Sequence, residues 1–371
     1  MAATQDALYA ELDVELSWSE RELPERERTK HVHRLHPYLG KFIPQLVEEL
    51  LRRHVGPGGR VLDPFAGSGT TLVQSLESGH DAVGVDLAAF NCLLMRVKTG
   101  HYNPFTLEHD LRDALARYER GEGAAGRPVG YVADWYADEA AADLLRFRSL
   151  LAEYEHADVL RIVLARAARS ARLTTHFDLD FPSRPQREPY WCHKHKRECR
   201  PVERAEHFVR RYALDTLRRL KEFAHLRGTH EARVVHGDAR EVDVGDAFDA
   251  VITSPPYPGL IDYHEQHRYA YELLGLDDRR DLELGAAVRG TTRVAIRDYV
   301  EGVGDVLTAA SASLERDGRV VIVVNDSRSL YSEILERSGL ELDERFRRHV
   351  NRRTGRRAGE YFEEILVARR R

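Results

Sequence analysis

The chain has 371 residues, of which 42% are hydrophobic and 32% charged, with a formal net charge of −5. That is an ordinary globular composition, long enough for one large α/β domain with an insertion or for two domains. No run of about 18 apolar residues is present, the N-terminus lacks a basic signal-peptide start, and three cysteines do not make a disulfide framework. A membrane-spanning or disulfide-stapled secreted protein is thereby disfavoured, and a cytoplasmic one is expected.

Residues 1–30 read as a polar N-terminal arm, with 8 acids against 4 bases. Residues 36–53 read as a loop and then an amphipathic helix, with Ile43, Leu46, Val47, Leu50 and Leu51 at helical spacing. Residues 60–65 predict a short apolar strand, broken by Ala66-Gly67-Ser68-Gly69. A helix follows from Thr70 and stops at Gly79, and residues 81–86 form a second buried strand. Strand, glycine turn, helix and strand make a parallel βαβ unit, so residues 31–100 are read as the first half of an α/β domain.

Residues 101–230 leave that rhythm. Residues 137–173 are strongly helical with a break near His156, and 201–227 predict a helix with Pro201 at its start and Gly228 just past its end. Between them, 174–200 are rich in Pro, Arg, His and aromatics without periodicity. The whole stretch reads as a mainly helical insertion. The α/β rhythm returns with strands at 232–238, 249–254 and 318–325, helices at 297–314 and 330–338, and a hairpin with arms at 341–350 and 361–369. Residues 231–371 are read as the second half of the domain.

Chemistry concentrates in two turns. The first is Asp63-Pro64-Phe65-Ala66-Gly67-Ser68-Gly69-Thr70-Thr71. A dinucleotide fingerprint needs a third glycine where Leu72 stands, and a phosphate loop needs a lysine where Thr70 stands. S-adenosyl-L-methionine carries a sulfonium and an ammonium group and no phosphate, so it tolerates acids beside such a turn. Asp63 supplies one. Asp86, 19 residues past Gly67 at the end of the next strand, is placed for ribose hydroxyls. The Gly-Ser-Gly step alone is equally compatible with a structural turn.

The second turn is Ser254-Pro255-Pro256-Tyr257, again after an apolar strand, where open α/β sheets bind ligands. Two prolines fix successive φ angles and donate no N–H, giving a rigid corner. Together the two turns carry a family resemblance that implies an exocyclic amino nitrogen as target, a poor nucleophile because its lone pair is delocalised into the ring. Acceptors on both amino hydrogens favour a pyramidal nitrogen, and the Ser254 side chain and the Pro255 carbonyl are the candidates. Tyr257 offers a ring face to an extruded base.

The string 63–71, residues 36–44 (HPYLGKFIP) upstream and Ser254–Tyr257 downstream together resemble the DNA amino-methyltransferases, which modify N4 of cytosine or N6 of adenine. The resemblance covers about residues 31–100 and 231–371. It implies a Rossmann-like, doubly wound, seven-stranded methyltransferase sheet. It also implies S-adenosyl-L-methionine held by Lys41, Phe42, Asp63, Pro64, Phe65, Gly67, Ser68, Gly69, Thr70 and Asp86, with residues 36–44 over the methionine end. Asp238, in His236-Gly237-Asp238-Ala239-Arg240, resembles the acid on the adenine side, with a helix or turn cap as the lesser alternative. In this family Ser-Pro-Pro-Tyr leans to N4-cytosine, while reasoning from Ser254 alone leaves both bases open; methylation of an RNA amino group, or a DNA-binding protein that holds the cofactor without transfer, are the remoter alternatives. Cytosine C5 chemistry needs a Pro-Cys thiolate, and Cys92, Cys192 and Cys199 follow Asn91, Trp191 and Glu198 instead.

The implied partner is double-stranded DNA, with a cognate restriction endonuclease as a possible companion. A net acidic total can hide a basic face: residues 161–230 hold 17 Lys/Arg against 8 Asp/Glu. Arg184, Arg187 and Lys194, among His176, Tyr190 and Trp191, are the candidate DNA contacts. A second cluster is Arg347, Arg348, Arg352, Arg353, Arg356 and Arg357. Solvated surface charge is the alternative for both. Cys192, His195 and Cys199 are zinc-ligand types, and His176 or His207 would complete a set of four. Adjacent residues rarely share one ion, so spacing alone favours a basic, partly buried loop without metal.

Overall fold

The computed structural model describes residues 13–18, 21–40, 42–176, 178, 179, 181–350 and 361–371. In chain order the longer elements are α1 (Pro44–His54), β1 (Arg60–Asp63), α2 (Thr70–Ser78), β2 (Asp81–Asp86), α3 (Ala89–Thr99), α4 (Pro104–Glu119), α5 (Asp138–Leu150), α6 (Ala157–Ala171), β3 (Tyr190–Cys192), β4 (Arg197–Cys199), α7 (Glu206–Ala224), β5 (Ala232–His236), β6 (Phe248–Thr253), α8 (Arg268–Leu274), α9 (Arg293–Ala312), β7 (Leu314–Val324), α10 (Tyr331–Arg337), β8 (Leu340–Val350) and β9 (Tyr361–Arg370). They fall into two compact units. The first comprises Met1–Thr99, Leu226–Asp262 and Asp281–Arg371; the second comprises Gly100–His225 and Tyr263–Arg280.

The first unit holds a seven-stranded sheet in the order β5-β2-β1-β6-β7-β9-β8. β5, β2, β1, β6 and β7 run parallel, while β9 is antiparallel to both β7 and β8. The doubly wound, Rossmann-like methyltransferase sheet implied by the resemblance is therefore present. Its central parallel strands β1, β2, β6 and the second half of β7 are largely buried on both faces, as parallel strands covered by helices must be. On one face Leu62, Val83, Val251, Val320 and Ile322 pack with Val303 and Leu307 of α9. On the other, Val61, Ala250, Ile252, Val321 and Val323 pack with Leu46 and Leu50 of α1. Each fully buried aliphatic side chain contributes about 1.5–3 kcal/mol.

The chain leaves β1 outward to β2 and β5, then crosses back to place β6 on the other side of β1. The strand order thus reverses between β1 and β6, and open α/β sheets bind ligands beyond the strand ends at such a point. Both sequence motifs leave the sheet there.

In the second unit α6 is the central helix, its Val159, Leu160, Ile162, Val163 and Leu164 fully or nearly fully buried, and it packs on α5, α7 and α8. The break near His156 is present. The His156 N–H and ring Nδ1 lie 3.1 and 2.7 Å from an Asp110 carboxylate oxygen, which holds the chain out of the helix there. α7 begins at Glu206 instead of Pro201. Its N-terminus is set from afar by Asp143, which accepts the Ala205 N–H at 3.0 Å and the Arg204 guanidinium at 2.8 Å. Residues 263–280, with α8, pack in this helical unit, where the sequence reading continued the α/β half. Among the described residues no helix is long and apolar enough to cross a membrane.

Candidate active site

Asp63, the last residue of β1, joins the two motifs. It is 1% exposed. Its Oδ1 accepts the Thr253 hydroxyl at 2.7 Å and the Phe65 N–H at 3.1 Å, and its Oδ2 accepts the Thr71 hydroxyl at 2.6 Å. Thr253 ends β6 immediately before Ser254, so one buried carboxylate bolts the glycine turn to the Ser-Pro-Pro-Tyr turn. Burial pushes Asp63 up to about 6, against the opposing pull of the Thr253, Thr71 and Phe65 donors. Asp63 therefore stands behind the turn, as a positioning group and not as an open acceptor.

The glycine turn folds on itself. The Ala66, Gly67 and Gly69 amides donate to the Val85 carbonyl at 3.0 Å, the Asp86 carboxylate at 2.8 Å and the Ala66 carbonyl at 2.7 Å. A phosphate-cradling loop aims these donors outward; here they point inward, and acceptors dominate the edge. Gly67 lies at φ +51°, where an added Cβ would come 2.9 Å from the Tyr38 hydroxyl. Tyr38 is thereby placed against the turn and accepts from the Asn91 amide at 3.2 Å. Asp86 also accepts the Ala88 N–H at 2.8 Å and the Asn91 amide at 3.1 Å, and remains partly exposed.

Asp238 accepts its own turn's Arg240 N–H at 3.0 Å and pairs with the Arg240 guanidinium, which holds its carboxyl below the usual range. The turn-cap reading thus describes what its oxygens do, and it too stays partly exposed. Of the other candidate cofactor residues, Phe65 and Gly67 are partly exposed, while Pro64, Ser68, Gly69 and Thr70 are buried in the turn. Phe42 is buried in the apolar cluster of α1 and contributes packing. Lys41 lies outside the described residues.

The donor and acceptor set suits S-adenosylmethionine. The partly exposed carboxylates match ribose hydroxyls and cationic groups, and no base interrupts the string 63–71. The Ser68 hydroxyl and the Asn91 Oδ1 are buried without a partner among the described residues, an uncommon state for buried polar atoms.

At the second turn, the Ser254 hydroxyl donates to the Val323 carbonyl of β7 at 2.8 Å. Its one proton is committed, so the partly exposed hydroxyl is left to act as an acceptor. Pro255 is buried, and Pro256 and Tyr257 are partly exposed, with Tyr257 packed against the sheet's apolar cluster. The turn is pinned downstream as well: the Gly259 amide, at φ +70°, donates to the Gly285 carbonyl at 2.9 Å.

The basic residues divide. Arg184, Arg187 and Lys194 are exposed, Arg187 donating to the Asp134 carbonyl at 2.9 Å. Arg166 and Arg172, counted in the same basic stretch, are instead interior: Arg166 pairs with Asp215 at 2.5 Å and Arg172 stacks on Tyr269. Arg348 is 4% exposed and bonds Glu363 at 2.8 Å, which removes it from the candidate DNA surface. Arg347 lies over the Phe362 ring. Arg352, Arg353, Arg356 and Arg357 lie outside the described residues.

Sequence reasoning missed Lys98, a fully buried lysine of α3 whose Nζ donates to the Ser68 carbonyl at 2.5 Å and braces the turn from behind. Its only signal was a lysine closing the mostly apolar segment 89–99, which also holds Asn91 and Arg96. It also missed Thr253 and Asn91, whose roles depend on distant partners.

A family profile described as DNA methylase matches residues 9–95. The type II methyltransferase M.MjaII of Methanocaldococcus jannaschii is 34% identical, over 93% of this chain and 81% of that protein. M.MvaI of Kocuria varians, also a type II methyltransferase, is 24% identical over 61% of this chain and 53% of its own. A third, M.BsoBI of Geobacillus stearothermophilus, is 22% identical over 78% of this chain and 62% of its own. With the sheet, the bolted pair of turns and a relative of this identity and coverage, the chain belongs to the S-adenosylmethionine-dependent DNA amino-methyltransferases.

Proposed function

We propose that the chain methylates N4 of cytosine at a specific sequence in duplex DNA, taking the target base out of the stack. The observation that carries the reading is the Ser254 hydroxyl bonded to the Val323 carbonyl beside the Asp63–Thr253 bolt. Ser254 then accepts one amino hydrogen, the Pro255 carbonyl accepts the other, and Tyr257 stacks on the extruded ring. These contacts favour a pyramidal nitrogen whose lone pair points away from the ring. Asp86 takes the ribose hydroxyls, Asp238 lies on the adenine side, and Gly67 with Tyr38 shapes the methionine side.

S-adenosylmethionine supplies an electrophilic methyl group on sulfur. The nitrogen–carbon bond forms as the carbon–sulfur bond breaks, with its electron pair leaving on sulfur. The nitrogen then sheds one proton, which a neutral serine does not retain and which passes to water. The rate gain is mostly positional, since aligned reacting groups are worth about 7–11 kcal/mol. Serine in place of aspartate at the head of Pro-Pro-Tyr, a form that leans to N4-cytosine in the family it resembles, supports cytosine over adenine. A base inside a duplex does not reach a site at strand ends, which supports flipping. Arg184, Arg187 and Lys194, exposed on the helical unit, contribute phosphate contacts.

Incubating the purified chain with genomic DNA and S-adenosylmethionine bearing a deuterated methyl group, followed by deoxynucleoside mass spectrometry, tests this. Heavy N4-methyldeoxycytidine is expected. Heavy N6-methyldeoxyadenosine would overturn the choice of base, and an unmarked DNA would overturn the reading.

A further inference from the structure

We propose that the helical unit carries a structural zinc site formed by His176, Cys192, His195 and Cys199. Spacing along the chain gives three of these and leaves His176 and His207 as alternatives for the fourth. The fold adds His176, 16 residues before Cys192, and brings one ligand atom from each residue to within 4.8 Å of the others. The Cys192 Sγ lies 3.5 Å from His176 Nδ1 and 3.7 Å from His195 Nδ1, and the Cys199 Sγ lies 3.4 Å from His195 Nδ1. Zinc binds thiolate sulfur at about 2.3 Å and imidazole nitrogen at about 2.0–2.1 Å, so the sulfur–nitrogen edge of its tetrahedron is about 3.5 Å. All three separations fall on that edge.

Hydrogen bonding alone accounts for the cluster less well. His195 Nδ1 faces both sulfurs, and the Cys192 sulfur faces both imidazoles, whereas a ring nitrogen has one lone pair or one proton to offer. A single central ion uses all four directions at once. Both cysteines are buried and neither is in a disulfide. One group competes: the Tyr190 hydroxyl lies 2.8 Å from His176 Nδ1. It gives up that nitrogen when a metal takes the lone pair.

The surrounding fold has need of a staple. Among the described residues, 174–200 hold no helix, and their only regular structure is the β3–β4 hairpin with strands of three residues each. A hairpin that small is not stable by itself, and a metal supplies ordering free energy that a short segment cannot bury enough surface to obtain. The turn between the strands, with Lys196 at φ +51°, then holds Lys194, Lys196 and Arg197 out to solvent beside the 60%-exposed Trp191. The site stands independently of which base is methylated.

Metal content of the full-length chain, purified from zinc-supplemented culture without chelators, tests the site by inductively coupled plasma mass spectrometry. About one zinc per chain is expected. Cys199→Ser and His176→Ala should each lower it severalfold, while Cys92→Ser, His207→Ala and Tyr190→Phe should retain it. Because a cysteine variant can misfold, the wild-type chain is also stripped and refilled with cobalt. Intense tetrahedral d–d bands with thiolate-to-cobalt charge transfer are expected, as is chelator-induced proteolysis within 174–200. A chain without stoichiometric zinc, or a weak octahedral cobalt spectrum, would overturn the site.

Discussion

Replacing Thr253 with valine removes one buried hydroxyl and leaves a β-branched side chain well suited to the end of β6. Asp63 keeps Thr71 at 2.6 Å and the Phe65 N–H at 3.1 Å but loses the 2.7 Å bond that ties it to the catalytic turn. A hydrogen bond to a charged acceptor is worth about 1.5–3 kcal/mol, so Thr253→Val should lower unfolding free energy by that amount at pH 8. At pH 5 Asp63, pushed up to about 6, is mostly protonated, and the loss should shrink to about 1 kcal/mol. The glycine turn keeps its own bonds, so cofactor affinity should stay within about threefold, a change below 1 kcal/mol. The catalytic turn loses its anchor, and small misplacements cost up to about 100-fold; single-turnover methyl transfer should fall at least roughly tenfold. Urea denaturation at the two pH values, calorimetric cofactor titration and rapid-quench kinetics provide the assays. A variant as stable and as fast as wild type at pH 8 would refute the bolt.

The same carboxylate makes stability depend on pH with a defined sign. Burial raises Asp63 from 3.8 to about 6, so between those values the folded chain holds a proton that the unfolded chain has released. Its contribution is present below about 4 and lost as pH rises through 6, an amount on the order of 3 kcal/mol. Asp63→Asn keeps a carbonyl for Thr253 and Phe65, and Thr71 can turn its proton to the Ile252 carbonyl 3.4 Å away; the pH slope of stability between 4 and 6 should flatten relative to wild type. Ser254→Ala should leave cofactor affinity unchanged and slow single-turnover transfer by about 10- to 100-fold, for the loss of one acceptor worth about 1.4–2.7 kcal/mol. Gly67→Ala meets both a left-handed φ of +51° and the Tyr38 hydroxyl at 2.9 Å; calorimetry should show cofactor binding weakened at least tenfold, for about 1–2 kcal/mol of backbone strain. Arg348→Met leaves the partly buried Glu363 without its partner and should cost up to about 3–5 kcal/mol in urea denaturation.

The features legible in the sequence are those set by neighbouring residues. The string 63–71 and the Pro-Pro corner constrain the backbone locally, and α2 ends at Gly79, in the left-handed region at φ +83° as its glycine suggested. What escaped depends on distant partners. α3 is buried almost all round, so it shows no polar stripe. α7 starts where Asp143 reaches Ala205, not where a local proline stands. Asp63 looks like a ligand group until Thr253, 190 residues on, takes its Oδ1. Charge counting treats Arg166 and Arg348 like Arg184, although only Arg184 remains exposed. The sequence left His176 and His207 as equal candidates to join the cysteines, and only the fold selects His176.

Photolabelling with S-adenosylmethionine tritiated in its methyl group, with peptide mapping of the adduct, probes most directly whether the two turns form one site. Label should concentrate in peptides carrying residues 36–44, 63–71 or 254–257 and vanish with excess unlabelled cofactor. Label confined to peptides of the helical unit would contradict it.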